Sequence, residues 1–183
     1  MDGYDIVNVL DSMEVLIDSR EQPTERSQRR YDDFDCPYER CTLSYGDYTY
    51  NATLPNGQKI FDTSQTIKGH AIVERKMNLE ELSGCLCHTR TRFEAEFKRA
   101  KENNASIYLL TENATWENLI NGKYKTQFNA KSYFASITAF IARYDIKPIF
   151  CKSETSGMMI KQILYRELKE KLENGFYDIK LDQ

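Results

Sequence analysis

Glu74 and Lys76 stand two residues apart at the end of the apolar run Ala71-Ile72-Val73. On a strand, residues i and i+2 project from one face, so the carboxylate and the ammonium lie side by side while Arg75 points the other way. That pair suits metal-assisted phosphodiester hydrolysis. The carboxylate holds a divalent cation, and the lysine polarises the phosphate or orients the attacking water. Many strands also end in a solvated ion pair worth little, so a Glu-x-Lys decides nothing by itself. Three further acids stand in comparable places. Asp18 and Glu21 follow the apolar run Met13–Ile17, and Asp47 follows Gly46, whose freedom lets the backbone bend before a buried ligand. Each acid taken singly reads as a turn acid, a cap or a surface charge; four at strand ends read as a site. Hard cations want one or two carboxylates plus water and substrate phosphate. Asp47 and Glu74 are therefore the leading ligand candidates, with Asp18 a third ligand or a water-positioning group. Carboxylates so grouped repel, and without a cation one of them should hold its proton.

The elements that must position these residues are legible in outline. Met13–Ile17 reads as a strand, broken by Gln22-Pro23-Thr24. Residues 24–34 are polar and basic, with the character of a short helix. Cys41–Tyr45 and Thr49–Leu54 read as strands on either side of Gly46-Asp47-Tyr48, and Pro55-Asn56-Gly57 is a turn leading to a returning partner at Lys59–Phe61. Residues 62–69 are loop-like. After the strand ending at Lys76, Asn78 caps one long helix bearing Leu79, Leu82, Leu86, Phe93, Phe97 and Ala100, closed by Asn103-Asn104. Ile107–Leu110 is apolar on both faces, as a central strand is. A short helix over 115–120, a basic aromatic connector over 123–128, a helix bearing Tyr133, Ile137, Phe140, Ile141 and Tyr144, a strand at Pro148–Cys151 and a final helix ending before Gly175 complete the chain. Strands first, then alternation of helix and strand, predict an α/β sandwich with a mixed central sheet flanked by helices. Residues 1–12 carry little pattern and read as a loose lead-in, 13–175 as one domain, and 176–183 as a tail.

Composition narrows the class. The chain has 183 residues, 40% apolar and 29% charged, with a formal net charge of −3. This is enough for a core and is not a uniformly basic nucleic-acid binder, although binding follows the local field more than the total. No apolar run reaches the ~20 residues a bilayer crossing requires, and the N-terminus lacks a signal-peptide pattern. A soluble, intracellular, cytoplasmic protein with no membrane association is expected. Five cysteines, an odd number, argue against a disulfide framework, and their spacing does not match paired zinc ligands. His70 and His88 are given no role.

Taken together, Leu16-Ile17-Asp18-Ser19-Arg20-Glu21, Gly46-Asp47-Tyr48 and Val73-Glu74-Arg75-Lys76 resemble the motifs of the XPF-type (ERCC-type) structure-specific nucleases. That family carries an ERK-x-x-x-D signature after a G-D segment. The resemblance runs from about residue 13 to the last helix and includes Ser132–Ile141 and Ser153–Leu168. It implies a restriction-endonuclease-like three-layer fold and Mg2+- or Mn2+-dependent cleavage of fork, flap or junction DNA. Asp18, Asp47 and Glu74 would stand at the metal and Lys76 beside the scissile phosphate, with Glu21, Arg20 and Arg75 in support. Glu80 stands where the signature has aspartate, one methylene longer, and reads also as a first-turn acid favoured by the helix dipole. No tandem helix–hairpin–helix module and no helicase segment accompany these motifs. The resemblance therefore implies a stand-alone nuclease domain, of the bacterial or phage kind, with no nucleotide cofactor.

Phosphate contacts are made mostly by Lys and Arg. Three groups qualify: Arg26, Arg29 and Arg30; Arg90 and Arg92 with Lys98 and Arg99; and Lys123, Lys125 and Lys131, with Tyr124 and Phe128 interleaved to stack on unpaired bases. The family also pairs through late helices, so a homodimer or heterodimer is expected, and Tyr133, Ile137, Met158 and Met159 are either its face or core. Two competing readings remain: a non-cutting DNA-binding and dimerisation module of the same fold, and a hydrolase of small phosphate esters. The second would want a Gly-rich phosphate loop, which the sequence lacks.

Overall fold

The computed structural model describes residues 1–62 and 68–178. Most of the loop expected at 62–69, and the tail from 179 onward, lie outside the described residues. The chain runs α1 (Gly3–Asp11), β1 (Glu14–Asp18), α2 (Glu25–Asp32), β2 (Tyr38–Cys41), β3 (Tyr48–Asn51), β4 (Ala71–Lys76), α3 (Leu79–Cys87), α4 (Arg90–Glu102), β5 (Ser106–Glu112), α5 (Trp116–Ile120), α6 (Ala130–Tyr144), β6 (Ile146–Cys151) and α7 (Ser156–Glu173). The strands form one six-stranded sheet in the order β2-β1-β3-β4-β5-β6. β3 is antiparallel to both β1 and β4, so β1 and β4 run in the same direction, and β5 and β6 continue parallel to β4.

Alternation along the strands divides the core in two. Val15, Ile17, Ala71, Val73 and Leu110 face a layer completed by Val9, Leu10, Tyr31 and the α7 residues Ile160, Leu164 and Leu168. Leu16, Ile72, Ile107 and Leu109 face the opposite layer, completed by Leu82, Leu86, Phe93, Phe97, Ile137 and Phe140 from α3, α4 and α6. The result is the three-layer α/β sandwich with a mixed sheet that the pattern predicts.

Several details differ. The supposed lead-in holds α1, whose Asp2 accepts from the Asp5 backbone while the Asp5 side chain accepts in return, and which buries Val9 and Leu10 against α7. The strand expected at Cys41–Tyr45 is displaced to Tyr38–Cys41. Leu43 and Tyr45 are buried, yet residues 42–47 bend across the sheet end and join no ladder. β3 stops at Asn51 because that side chain takes over the backbone: its Oδ1 accepts from Ala52 and Phe61 and its Nδ2 donates to Phe61. The long helix is two, interrupted at His88-Thr89. Beyond α7, Tyr177 is buried, with its hydroxyl 2.8 Å from that of Tyr50.

Candidate active site

Because β1 and β4 run the same way, their C-terminal ends emerge at one edge of the sheet, with the start of antiparallel β3 between them. That topology delivers Asp18, Asp47 and the Glu74–Lys76 segment to one place. Parity along the strands does the rest. Asp18 shares the face of Leu16, and Glu74 and Lys76 share the face of Ile72, toward α3 and α4. Together with Arg20, Glu21, Arg75, Glu81, Arg92 and Glu96, they line a single polar cleft of about 230 Å³.

Lys76 is buried and donates to Glu74 Oε1 at 2.5 Å, while its ammonium lies 5.4 Å from the centre of the Phe93 ring. Burial works against its charge, but Glu74 and Asp47 more than offset that and hold it above the ordinary lysine range. Glu74 is 4% exposed, and its Oε2 has no hydrogen-bond partner among the described residues. Burial, reinforced by the neighbouring Asp47 charge, raises its pKa well above the usual carboxylate range against the pull of Lys76. Asp47 is raised too, chiefly by burial, with Lys76 pulling it down and Glu21 pushing it up. Two carboxylates crowded enough to resist joint ionisation, with one buried oxygen unclaimed, fit a hard divalent cation. No three His, Cys, Asp or Glu side chains among the described residues form a ready cage. The donor set therefore suits a cation that keeps part of its own water.

Asp47 does not sit on a strand. It is fixed by its backbone N–H donating to Val73 O at 3.0 Å, by its carbonyl accepting from Asp18 at 2.8 Å, and by Oδ2 accepting from the Arg75 N–H at 2.7 Å. Asp18 is held differently: Arg20 Nε donates to its Oδ2 at 2.5 Å, and the guanidinium continues to Leu43 O. Arg75 does point to the far face, as alternation requires. There it lies 3.8 Å from Glu21 and 3.5 Å from Glu112. Glu112, at the end of β5, is fully buried and also pairs with Arg26 and Arg30. Arg30 donates in turn to the Tyr48 hydroxyl, which donates to Glu21 at 3.1 Å. A buried polar web thus lies beneath the cleft.

Some expected residues fall elsewhere. Glu80 does not line the cleft; its carboxylate accepts from the Lys125 N–H at 2.7 Å and ties the connector after α5 to the start of α3. Arg90, half-buried, donates to Glu94 and lies over Phe140, whereas Arg92 is exposed at the cleft. In the first basic group Arg30 is buried and Arg26 pairs with Glu112, while Arg29 is exposed. Lys123, Lys125 and Lys131 are exposed and make no ion pair with a described residue. Their aromatic neighbours are half-buried: Phe128 stacks on buried Tyr133, and Tyr124 packs edge-on against the same ring. Tyr133 and Ile137 are core, and Met158 is the exposed one of the four suggested interface residues.

Glu96 and Glu112 are absent from the residues that sequence alone singles out. Glu96 reads there as one more acid on a charged helix face. Glu112 closes an apolar run, the same signal that marks Asp18 and Glu74.

A family model described as the ERCC4 domain matches residues 17–163, a span holding Asp18, Asp47, Glu74 and Lys76. The chain belongs to the ERCC4-domain family. Among solved structures it is similar to XPF from Aeropyrum pernix, at 16% identity and a TM-score of 0.57, over 82% of this chain and 59% of that one. It is likewise similar to XPF from Aeropyrum pernix in complex with DNA, at 18% identity and a TM-score of 0.57, over 84% of this chain and 63% of that one. At these identities the likeness bears on the fold, which is restriction-endonuclease-like; the ERCC4-domain chain spans about three fifths of the length of those structures. No curated protein sequence matches it. Among the described residues no helix is long and apolar enough to cross a membrane.

Proposed function

We propose that this ERCC4-domain chain is a divalent-metal-dependent endonuclease that hydrolyses phosphodiester bonds in branched or junction DNA. The observation that carries the reading is the convergence of Asp18, Asp47, Glu74 and Lys76, drawn from separate stretches of sequence, on one small polar cleft. Asp47 and Glu74 would hold Mg2+ or Mn2+, with Asp18 beside them. Such a cation, when bound, stabilises negative charge on the phosphate and acidifies a bound water.

The chain's own groups do the remainder. Lys76 stays protonated, since its neighbours raise its pKa, so it serves as a fixed positive charge and donor to a phosphate oxygen and not as a general base. Glu74 anchors that ammonium through Oε1 and leaves Oε2 facing inward. Arg20 locks the Asp18 carboxylate, and the Arg75 backbone N–H aims that of Asp47. Arg92 at the cleft, with Lys123 and Lys125 on the connector tied to α3 and Lys131 at the start of α6, supplies positive charge for the DNA backbone.

End-labelled fork, flap and four-way junction DNA, incubated with Mg2+, Mn2+ or chelator, tests this directly. Cutting should require the metal, and Asp47→Asn or Lys76→Ala should lower its rate by about 100-fold or more. Wild-type cutting rates in both variants would sink the assignment. DNA binding without any cutting would mark the chain as a binding module.

A further inference from the structure

We propose that Glu96 is a positioning residue whose carboxylate clamps the Gly46–Asp47 turn and thereby fixes where the Asp47 side chain points; the inference rests on the reading of Asp47 as a metal-holding group. Asp47 lies on a bend outside the strand ladders, and the sheet holds it from β1 and β4, while the turn that leads into it is held from outside the sheet. Its own N–H, carbonyl and Oδ2 are tied to Val73, Asp18 and Arg75. The neighbouring backbone donor, the Gly46 N–H, meets Glu96 Oε1 at 2.9 Å. Gly46 has φ of +74°, and a Cβ there would stand 3.0 Å from Ile72, so the turn is pressed onto the sheet with little room to adopt another path. Glu96 reaches this point from α4, across the cleft from the strands, and lines the cleft itself. Both walls of the site are thereby joined through one hydrogen bond. An amide can replace the carboxylate in that bond, and a methyl group cannot.

Glu96→Gln and Glu96→Ala separate the clamp from the charge. In chelator, exchange of the Gly46 amide proton should quicken by about tenfold or more in Glu96→Ala and stay protected in Glu96→Gln. Mn2+ affinity, followed by electron paramagnetic resonance, should weaken by about tenfold in the alanine variant and be largely rescued by glutamine. On junction DNA the alanine variant should lose kcat with little change in KM, because the Asp47 geometry and not substrate capture is disturbed. Unaltered Gly46 exchange in Glu96→Ala overturns the proposal. So does a glutamine variant that keeps Gly46 protected yet loses Mn2+ as badly as alanine, since charge would then be the operative property. If wild type fails to cut while Gly46 exchange and Mn2+ binding follow the expected pattern, the clamp stands and the endonuclease reading falls.

Discussion

Asp47 and Glu74 make the pH dependence of this protein unusual among carboxylate-bearing folds. Paired acids usually have depressed pKa values and stabilise at neutral pH. Here burial raises both, with Glu21 adding to Asp47 and Asp47 adding to Glu74, so that Asp47 stands at about 6 and Glu74 at about 8. The native state then binds more protons than the unfolded chain between the ordinary carboxylate range and those values, so stability falls as pH rises through the window. In chelator, the melting temperature should drop between about pH 5 and pH 9 by an amount on the order of 1–3 kcal/mol of stability, which is roughly 2–4 °C per kcal/mol for a chain of this size. Mg2+ should restore more of it at pH 8 than at pH 6, because the cation relieves the repulsion only where both groups are ionised. Asp47→Asn should flatten the profile. A melting temperature that rises over the same range in chelator would refute the crowding. The types of these residues were legible in the sequence, and so was the shared side of Glu74 and Lys76, because a two-residue period fixes both. Burial was not, since nothing local says that α3 and α4 close over the strand ends.

At the scale of elements, the sheet was readable where apolar residues run or alternate unbroken, in β1, β4 and β5, and the helices were readable where spacing was sustained, in α6 and α7. It failed where contacts override pattern. Leu86 and Phe93 keep helical spacing across the break at His88-Thr89, so the two helices look like one. Leu43 and Tyr45 alternate as a strand would while their backbone bends across the sheet edge. α1 escapes notice because it buries just two apolar residues, although Asp2 and Asp5 form its capping box. Glu112 shows the cost of such blind spots, since one acid at the end of β5 anchors three arginines from α2 and β4. Removing it leaves buried Arg30 with Glu21, at 3.8 Å, as its remaining counter-charge among the described residues. Glu112→Ala should therefore destabilise by about 3–5 kcal/mol, visible as a lower urea midpoint. Arg26→Ala, whose side chain is 41% exposed, should shift it by less than about 1 kcal/mol. Equal effects would mean that the web under the cleft is not what holds α2 to the sheet.

For the whole molecule, the proposed DNA substrate has to be met by a chain with a net charge of −3. Several of its acids are committed inward or to neighbours: Glu112 and Glu21 to arginines, Glu14 to Lys59, Glu167 to Lys147 and Tyr108. Lys123, Lys125 and Lys131 are not so committed among the described residues; the connector that carries Lys123 and Lys125 is anchored to the first turn of α3 by Glu80, and α6, which carries Lys131, by the Tyr133 hydroxyl donating to Leu79. α3 follows directly on the strand that ends in Lys76, so this exposed positive face is fixed relative to the cleft and not on a swinging loop. A fixed site gives affinity without an ordering cost on binding. Replacing all three lysines by alanine should leave the urea midpoint unchanged within about 0.5 kcal/mol, because exposed, unpaired lysines contribute little to folding. The slope of log Kd for junction DNA against log salt should fall by about 0.9 for each phosphate that is no longer neutralised, toward a total near 3. Lys98→Ala, on the outer face of α4 beside Glu102, serves as the comparison and should leave the slope in place. An unchanged slope in the triple variant would move the DNA path away from α3 and its connector, toward the Arg92 side of the cleft.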